Sequence, residues 1–235
     1  MKIYLSPSNQ PANRYCVGNT TEKEQMEAVA HKVKAIIDSE YMCETVMATL
    51  NSDINARAVE AKNNGCNVYL AIHSNAGCST ASGAIALYHP SNATSKTFAT
   101  NLVAELNSAC PIKSNRSSAI VNGMVAFNGQ GYGEIRMPTQ NGMVSVLVET
   151  DFHDNPNTAR WIIDNHDAIA RAIVTGIVKT FGVAKKQAAP VPQPVPVSTG
   201  KLYKVQVGAY SVKANAEGML NKLRQAGFDG YIKEE

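Results

Sequence analysis

Two segments, VYLAIHSNA (Val68–Ala76) and VSVLVETDFHDN (Val144–Asn155), each run apolar and then end in a polar cluster. The first delivers His73, the second Glu149 and His153. Ionisable side chains at the ends of buried strands are the raw material of α/β active sites. Histidine and glutamate are also zinc donors, and two or three such ligands leave a position where a water is activated. These residue types point to a metal-dependent hydrolase. Glu149 follows five residues of which four are aliphatic. It therefore lies either near water at the carboxyl edge of a sheet or buried against a partner such as Arg57 or Arg136. His73 has an alternative as a structural histidine donating to a backbone carbonyl. Strand geometry carried through 153 would place Glu149 and His153 on one face, although TDFHDN is turn-like.

Other chemistries lack their motifs. There is no G-x-S-x-G elbow and no HExxH helix, and the glycines of Gly129–Gly133 are not followed by the Lys-Ser/Thr of a P-loop. The five cysteines (Cys16, Cys43, Cys66, Cys78, Cys110) form no CxxC, which argues against a disulfide framework or a zinc ribbon.

The elements that must hold these residues alternate strand and helix. Lys2–Leu5 reads as a first strand and Ser6–Asn19 as a polar loop. Thr20 or Thr21 caps a helix with Glu22 and Glu24 in its first turn and Met26, Val29, Val33 and Ile36 at helical spacing. A strand at Tyr41–Met47, a helix at Ser52–Asn64, strands at Val68–Ile72 and Gly83–Tyr88 and a helix at Ser95–Leu106 follow. A strand at Val144–Val148 and helical residues Asn157–Phe181 complete the series. This rhythm predicts an α/β fold with a twisted, mainly parallel sheet flanked by helices.

The chain has 235 residues, 44% of them apolar and only 17% charged, with a net charge of +3. That balance supports a sizeable core and gives no reason to expect a nucleic-acid partner. No stretch approaches the length of a membrane span, and KIYLSPSNQ after Met1 is too short in apolar residues for a secretory signal. The expectation is a chain exported by another route, released by lysis, or cytoplasmic. Three regions are expected: a catalytic-type domain over 1–185, a linker over 186–200 with four prolines, and a small unit over 201–235. In the last, Tyr203–Gly208 alternates as a strand, Ala214–Ala226 is amphipathic, and Phe228–Ile232 suggests a second strand, giving a βαβ unit.

At LAIHSNA and VLVETDFHDN the sequence resembles the zinc-dependent N-acetylmuramoyl-L-alanine amidases, with KIYLSPSNQ and TTEKEQM as supporting stations over Lys2–Phe181. The resemblance implies Zn2+ as cofactor and bacterial peptidoglycan as substrate. It further implies hydrolysis of the amide between N-acetylmuramic acid and L-alanine, as in a phage endolysin or clostridial autolysin. It makes His73 a zinc ligand, Glu22 (with Glu24 as the alternative) a second, and Glu149 the catalytic glutamate. The family's first ligand is a histidine in the loop after strand one, where this chain has Ser6-Pro7-Ser8-Asn9-Gln10, with Asn9 at the expected position. Several readings follow. His153 completes a His73–Glu22–His153 site; Asn9 or Gln10 coordinates in its place; Cys16 or His31 is involved; or the domain is a noncatalytic wall-binding relative. Asn75, Arg57 and Arg136 are candidate substrate contacts. The segment VQVGAYS and the Ala-Gly-Phe ending resemble SPOR repeats of cell-wall proteins, of which the last residues match half of a ferredoxin-like unit. That implies glycan binding, with Gln206, Tyr210 and Phe228 as loose candidates, and a homodimer joined through the tail.

Overall fold

The computed structural model describes residues 1–49, 52–187 and 204–234. The chain divides into two compact units, Met1–Gln187 and Ala188–Glu235.

The first unit is built on a six-stranded sheet in the order β2-β1-β3-β6-β4-β5. Its strands are β1 (Lys2–Pro7), β2 (Glu44–Met47), β3 (Val68–Asn75), β4 (Ile85–Tyr88), β5 (Ile120–Asn122) and β6 (Val144–Phe152). All neighbouring pairs are parallel except β4 with β6. β1, β3 and β6 are near-continuously buried, which is why they read as unbroken apolar runs. From β1 the chain passes to β2 on one side and later to β3 on the other. The carboxyl ends of β1 and β3 therefore flank a switch point, the place where open α/β sheets put their sites.

Helices cover both faces. α1 (Glu22–Glu40), α3 (Ala93–Ala109), α5 (Pro156–Asp164) and α6 (His166–Phe181) contribute to a core with Ile3, Leu5, Leu70, Ile72, Val146 and Val148. α2 (Ile54–Asn63) and α4 (Gly133–Gln140) cover the opposite face, where Tyr4, Tyr69, Ala71, Ile135 and Leu147 pack. Alternation along each strand sorts these residues into two layers.

Two elements differ from the sequence expectation. The sequence pattern assigns no element to β5 or α4. α4 is only eight residues, contains Pro138, and follows the glycine-rich run Gly129–Gly133, so breaker signals mask it. Among the described residues no helix is long and apolar enough to cross a membrane.

In the second unit, α7 (Lys213–Gln225) is flanked by segments with no regular secondary structure and no ladder among the described residues. Of the expected strands, residues 204–208 and Phe228–Ile232 are unpaired among the described residues, Tyr203 lying outside them, and a segment without a ladder partner leaves its backbone groups to water. Most of the expected linker, residues 188–200, lies outside the described residues.

Candidate active site

The centre of the site is His73, near the end of β3. Period 2 places it on the same face as Tyr69 and Ala71, toward α2 and α4. Both ring nitrogens are engaged. Nδ1 lies 2.9 Å from Glu22 Oε1, and Nε2 lies 2.8 Å from Glu134 Oε2.

Glu22 arrives from the start of α1. Thr21 is the N-cap and forms a capping box with Glu24, each satisfying a backbone amide of the other. That box fixes the helix origin, contributes about 0.5–2 kcal/mol, and aims Glu22 inward. Glu24 is thereby committed to Thr20 and Thr21, so Glu22 and not Glu24 meets His73. Asn13 donates to Glu22 Oε2 at 2.7 Å, and the Ser74 amide to Oε1 at 3.3 Å.

Glu134 sits in the first turn of α4, buried. Its Oε1 accepts from Ser6 Oγ at 2.6 Å and from the Tyr69 hydroxyl at 3.0 Å. Ser6 Oγ in turn accepts from Arg57 Nη1 at 2.9 Å, and the same nitrogen donates to the Pro7 carbonyl at 2.6 Å. A continuous network thus runs from Arg57 through Ser6 and Glu134 to His73 and Glu22.

Glu149 is the opposite case. It is register-paired with His73 across β3 and β6, yet its Oε2 is buried and has no hydrogen-bond partner. Burial pushes its carboxyl up to about 7; the positive His73 works against this, while Glu22 and Glu134 add to it. For His73, burial favours the neutral ring, but hydrogen bonds to Glu134 and Glu22 outweigh it and hold the imidazolium well above its ordinary range. Burial also opposes ionisation of Glu22 and Glu134, and their bonds to His73 reverse that, keeping both below the ordinary carboxylate value.

The residues expected from sequence are only partly brought together. His73, Glu22 and Glu149 converge. His153 does not join them as a third ligand: its Nδ1 lies 2.9 Å from Ser74 Oγ and its ring stacks on Tyr15 with centroids 5.1 Å apart. Ser74 follows His73 and so points to the other face of β3. Among the described residues no three His, Cys, Asp or Glu side chains are grouped to hold a metal. Arg57 is 3% exposed and spent on the network, so it is not a free substrate contact. Asn75 is half-buried, with its Oδ1 accepting from the Ala76 amide. Arg136 lies two residues past Glu134, with its Nε buried and unpartnered. In the loop after β1 it is Gln10, not Asn9, that reaches His73, with its carboxamide nitrogen 3.4 Å from Nδ1.

The fit to a zinc ion rests on donor chemistry. Two donors at tetrahedral zinc distances stand roughly 3.3 Å apart. The 2.9 Å between His73 Nδ1 and Glu22 Oε1 is a small shift from that. The remaining neighbours on that side are neutral: Ser8 offers a hydroxyl oxygen, and Gln10 turns its carboxamide nitrogen to His73 while its Oε1 accepts from Asn13. Neutral groups of this kind are weaker for zinc than an imidazole. The His73–Glu22 pair fits zinc, with only neutral side chains beside it.

Comparison with known proteins agrees with this architecture. The family model described as N-acetylmuramoyl-L-alanine amidase matches residues 8–179, and the SPOR domain model matches residues 183–235. A sporulation-specific N-acetylmuramoyl-L-alanine amidase of Bacillus subtilis is 23% identical over 239 residues, covering 99% of this chain and 84% of its own length. Among solved structures, an N-acetylmuramoyl-L-alanine amidase from Clostridium difficile 630 superposes with TM-score 0.64 at 21% identity, covering 76% of this chain and 95% of that one. The catalytic domain of CwlV from Bacillus (Paenibacillus) polymyxa gives TM-score 0.64 at 23% identity, covering 78% and 99%.

Proposed function

This chain belongs to the N-acetylmuramoyl-L-alanine amidase family, and from that premise we propose that it is a zinc-dependent enzyme whose general base is Glu149. Its substrate bond is the amide between N-acetylmuramic acid and L-alanine in peptidoglycan. One observation carries the reading: a buried carboxylate oxygen without a partner, on a group that titrates near 7, is paired in register with the site histidine. A general base works best when its pKa lies near the working pH.

His73 and Glu22 would hold the zinc ion, with Gln10 the neutral side chain beside His73. The chemistry such an ion supplies is Lewis-acid activation of a water toward neutral pH. Glu149 accepts the proton of the attacking water at its free Oε2. It then returns that proton to the leaving alanine nitrogen, so it acts as base and then as acid. Asn75 and Arg136 are retained as substrate contacts, with Arg136 suited to a stem-peptide carboxylate. Arg57 is reassigned to holding Ser6 and the Pro7 carbonyl.

The neutral donor beside His73 favours a second reading, a wall-binding relative without catalysis. Zinc content of the purified chain, read beside release of stem peptide from purified peptidoglycan, separates the two. About one zinc per chain and release that both vanish in His73→Ala support the enzyme; zinc-independent wall binding with no release supports the alternative.

We assign the three regions 1–185, 186–200 and 201–235 to catalysis, linkage and wall binding. Exposed Val205, Val207, Phe228 and Tyr231 support pairing of tails in a homodimer. Sedimentation of the full chain as a monomer at micromolar concentration would remove that assignment.

A further inference from the structure

We infer that Glu134 is the positioning residue of the site: by accepting the Nε2 proton of His73 it reserves Nδ1, on the Glu22 and Gln10 side, for the metal. The inference rests on the zinc reading above and deepens it.

The argument begins with which nitrogen is available. The Nε2 of His73 faces Glu134 Oε2 at 2.8 Å, and Glu134 is in no position to rotate away. Its other oxygen is held by Ser6 at 2.6 Å and Tyr69 at 3.0 Å. Ser6 is itself fixed by Arg57 at 2.9 Å. Three elements, β1, β3 and α2, therefore lock one carboxylate that belongs to a fourth, α4. Each ring nitrogen faces a carboxylate, and the neutral ring keeps a proton on only one of them. With the metal on the Glu22 side, the retained N–H is the one that Glu134 accepts, and Nδ1 carries the lone pair. That nitrogen is the one beside Glu22 Oε1 at 2.9 Å and the Gln10 carboxamide at 3.4 Å.

A charged acceptor behind the ring also raises the basicity of the opposite nitrogen, and outer-shell partners of this kind typically account for about 10–100-fold in metal affinity. Such a contribution has particular weight here, because the side chains beside the His73–Glu22 pair, Gln10 and Ser8, are neutral. Arg57, Ser6 and Tyr69 act one step further out, by keeping Glu134 aimed at His73.

The experiment uses the full chain as wild type, Glu134→Gln, Glu134→Ala, Tyr69→Phe and His73→Ala, each checked for folding by circular dichroism. Zinc Kd is measured by chelator competition, and the protonation of each His73 ring nitrogen by long-range 1H–15N correlation with zinc bound. Expected are a retained Nε2 proton in the zinc-loaded wild type and Kd weakened about 10–100-fold in Glu134→Gln. Tyr69→Phe should move the same way by less, and it carries the test together with Glu134→Gln if the alanine variant does not fold. Wild-type affinity in the Glu134 variants, with binding lost in His73→Ala, would overturn the inference and leave the zinc reading standing. Loss of the Nε2 proton on loading, rather than that of Nδ1, would overturn it as well. A wild-type chain that takes up no zinc overturns the reading beneath it, a result distinguishable from the other two.

Discussion

His73 and Glu149 are partners in register on adjacent parallel strands, and they differ sharply in how they are satisfied. His73 has a carboxylate on each ring nitrogen. Glu149 has a buried oxygen with none. A saturated group is structural or positional, whereas an unsatisfied one is held ready for a ligand or a proton. The contrast is what the proposed roles of Glu149 in proton transfer and of His73 as a fixed metal donor rest on.

Glu149→Gln therefore separates activity from stability. The neutral isostere cannot take a proton, so stem-peptide release should fall by about 10²–10⁴-fold. Stability moves the other way. The folded pKa, about 7, exceeds the unfolded value of 4.5, so the native state holds the proton more tightly. That contribution is complete below 4.5 and is lost as pH rises through 7. At pH 8 the buried carboxylate is a net cost of about 1–3 kcal/mol, allowing for the partial exposure of the residue. Urea unfolding of the metal-free variant should show it more stable than wild type at pH 8 and equal at pH 4. Equal stability at both pH values would mean the carboxylate is solvated rather than buried.

Zinc uptake should be coupled to proton release. Without metal, His73 is held as an imidazolium between Glu134 and Glu22, above its ordinary range. Binding at one nitrogen must displace one proton, so affinity should rise with pH until the ring's raised pKa is passed and then level off. Calorimetry of zinc binding in buffers of different ionisation enthalpy would count about one proton released per ion. A buffer-independent enthalpy at pH 7 would show that the ring was already neutral.

The catalytic strands could be read from sequence because buried parallel strands carry their signal locally, as apolar runs ending in His73 and Glu149. Glu22 came from the family resemblance with Glu24 as its alternative, and the capping box of Thr21 and Glu24, visible only in the structure, is what turns Glu22 inward. Glu134 could not be read from sequence. It is 61 residues from His73 and lies on a short helix with an internal proline, so only tertiary packing reveals the pair. A first-turn acid on a segment closed by Asn141-Gly142 was the one local hint. His153 lies away from His73 and Glu22 for a related reason. The expectation of a shared face extended strand periodicity past Phe152, where β6 ends, and the register between β3 and β6 shifts between His73 and Asn75. Periodicity locates residues only while the ladder persists. Gln10 in place of Asn9 is likewise a matter of loop conformation.

His153 belongs to a second buried cluster, with consequences for stability rather than metal binding. Tyr15 donates to Ser74 Oγ at 2.9 Å, and Ser74 Oγ lies 2.9 Å from His153 Nδ1. Ser74→Ala would leave both partners unpaired in a dry environment, at about 1–3 kcal/mol for each stranded group. Chemical denaturation should show that loss for Ser74→Ala and a comparable one for His153→Ala, with zinc stoichiometry unchanged in both. Loss of zinc from folded His153→Ala would instead return His153 to the ligand set.

Arg57 offers the sharpest choice between substrate binding and architecture. Its side chain is buried, and a single nitrogen serves both Ser6 Oγ and the Pro7 carbonyl where β1 gives way to the Ser8–Gln10 loop. Removing it strands a carbonyl and a hydroxyl and slackens the hold on Glu134, so Arg57→Ala should cost about 2–4 kcal/mol. Arg57→Lys is not conservative here, because a point charge on a flexible stem does not reproduce a planar donor fixed between two acceptors. Both variants should lower thermal stability and weaken zinc affinity in parallel, since the loop that carries Gln10 and the network behind His73 share this anchor. KM for a soluble muramoyl-peptide, measured on the folded, zinc-saturated fraction, should stay near wild type. A KM that rose severalfold with stability intact would place the guanidinium on substrate instead, and the buried network would then have to open during binding.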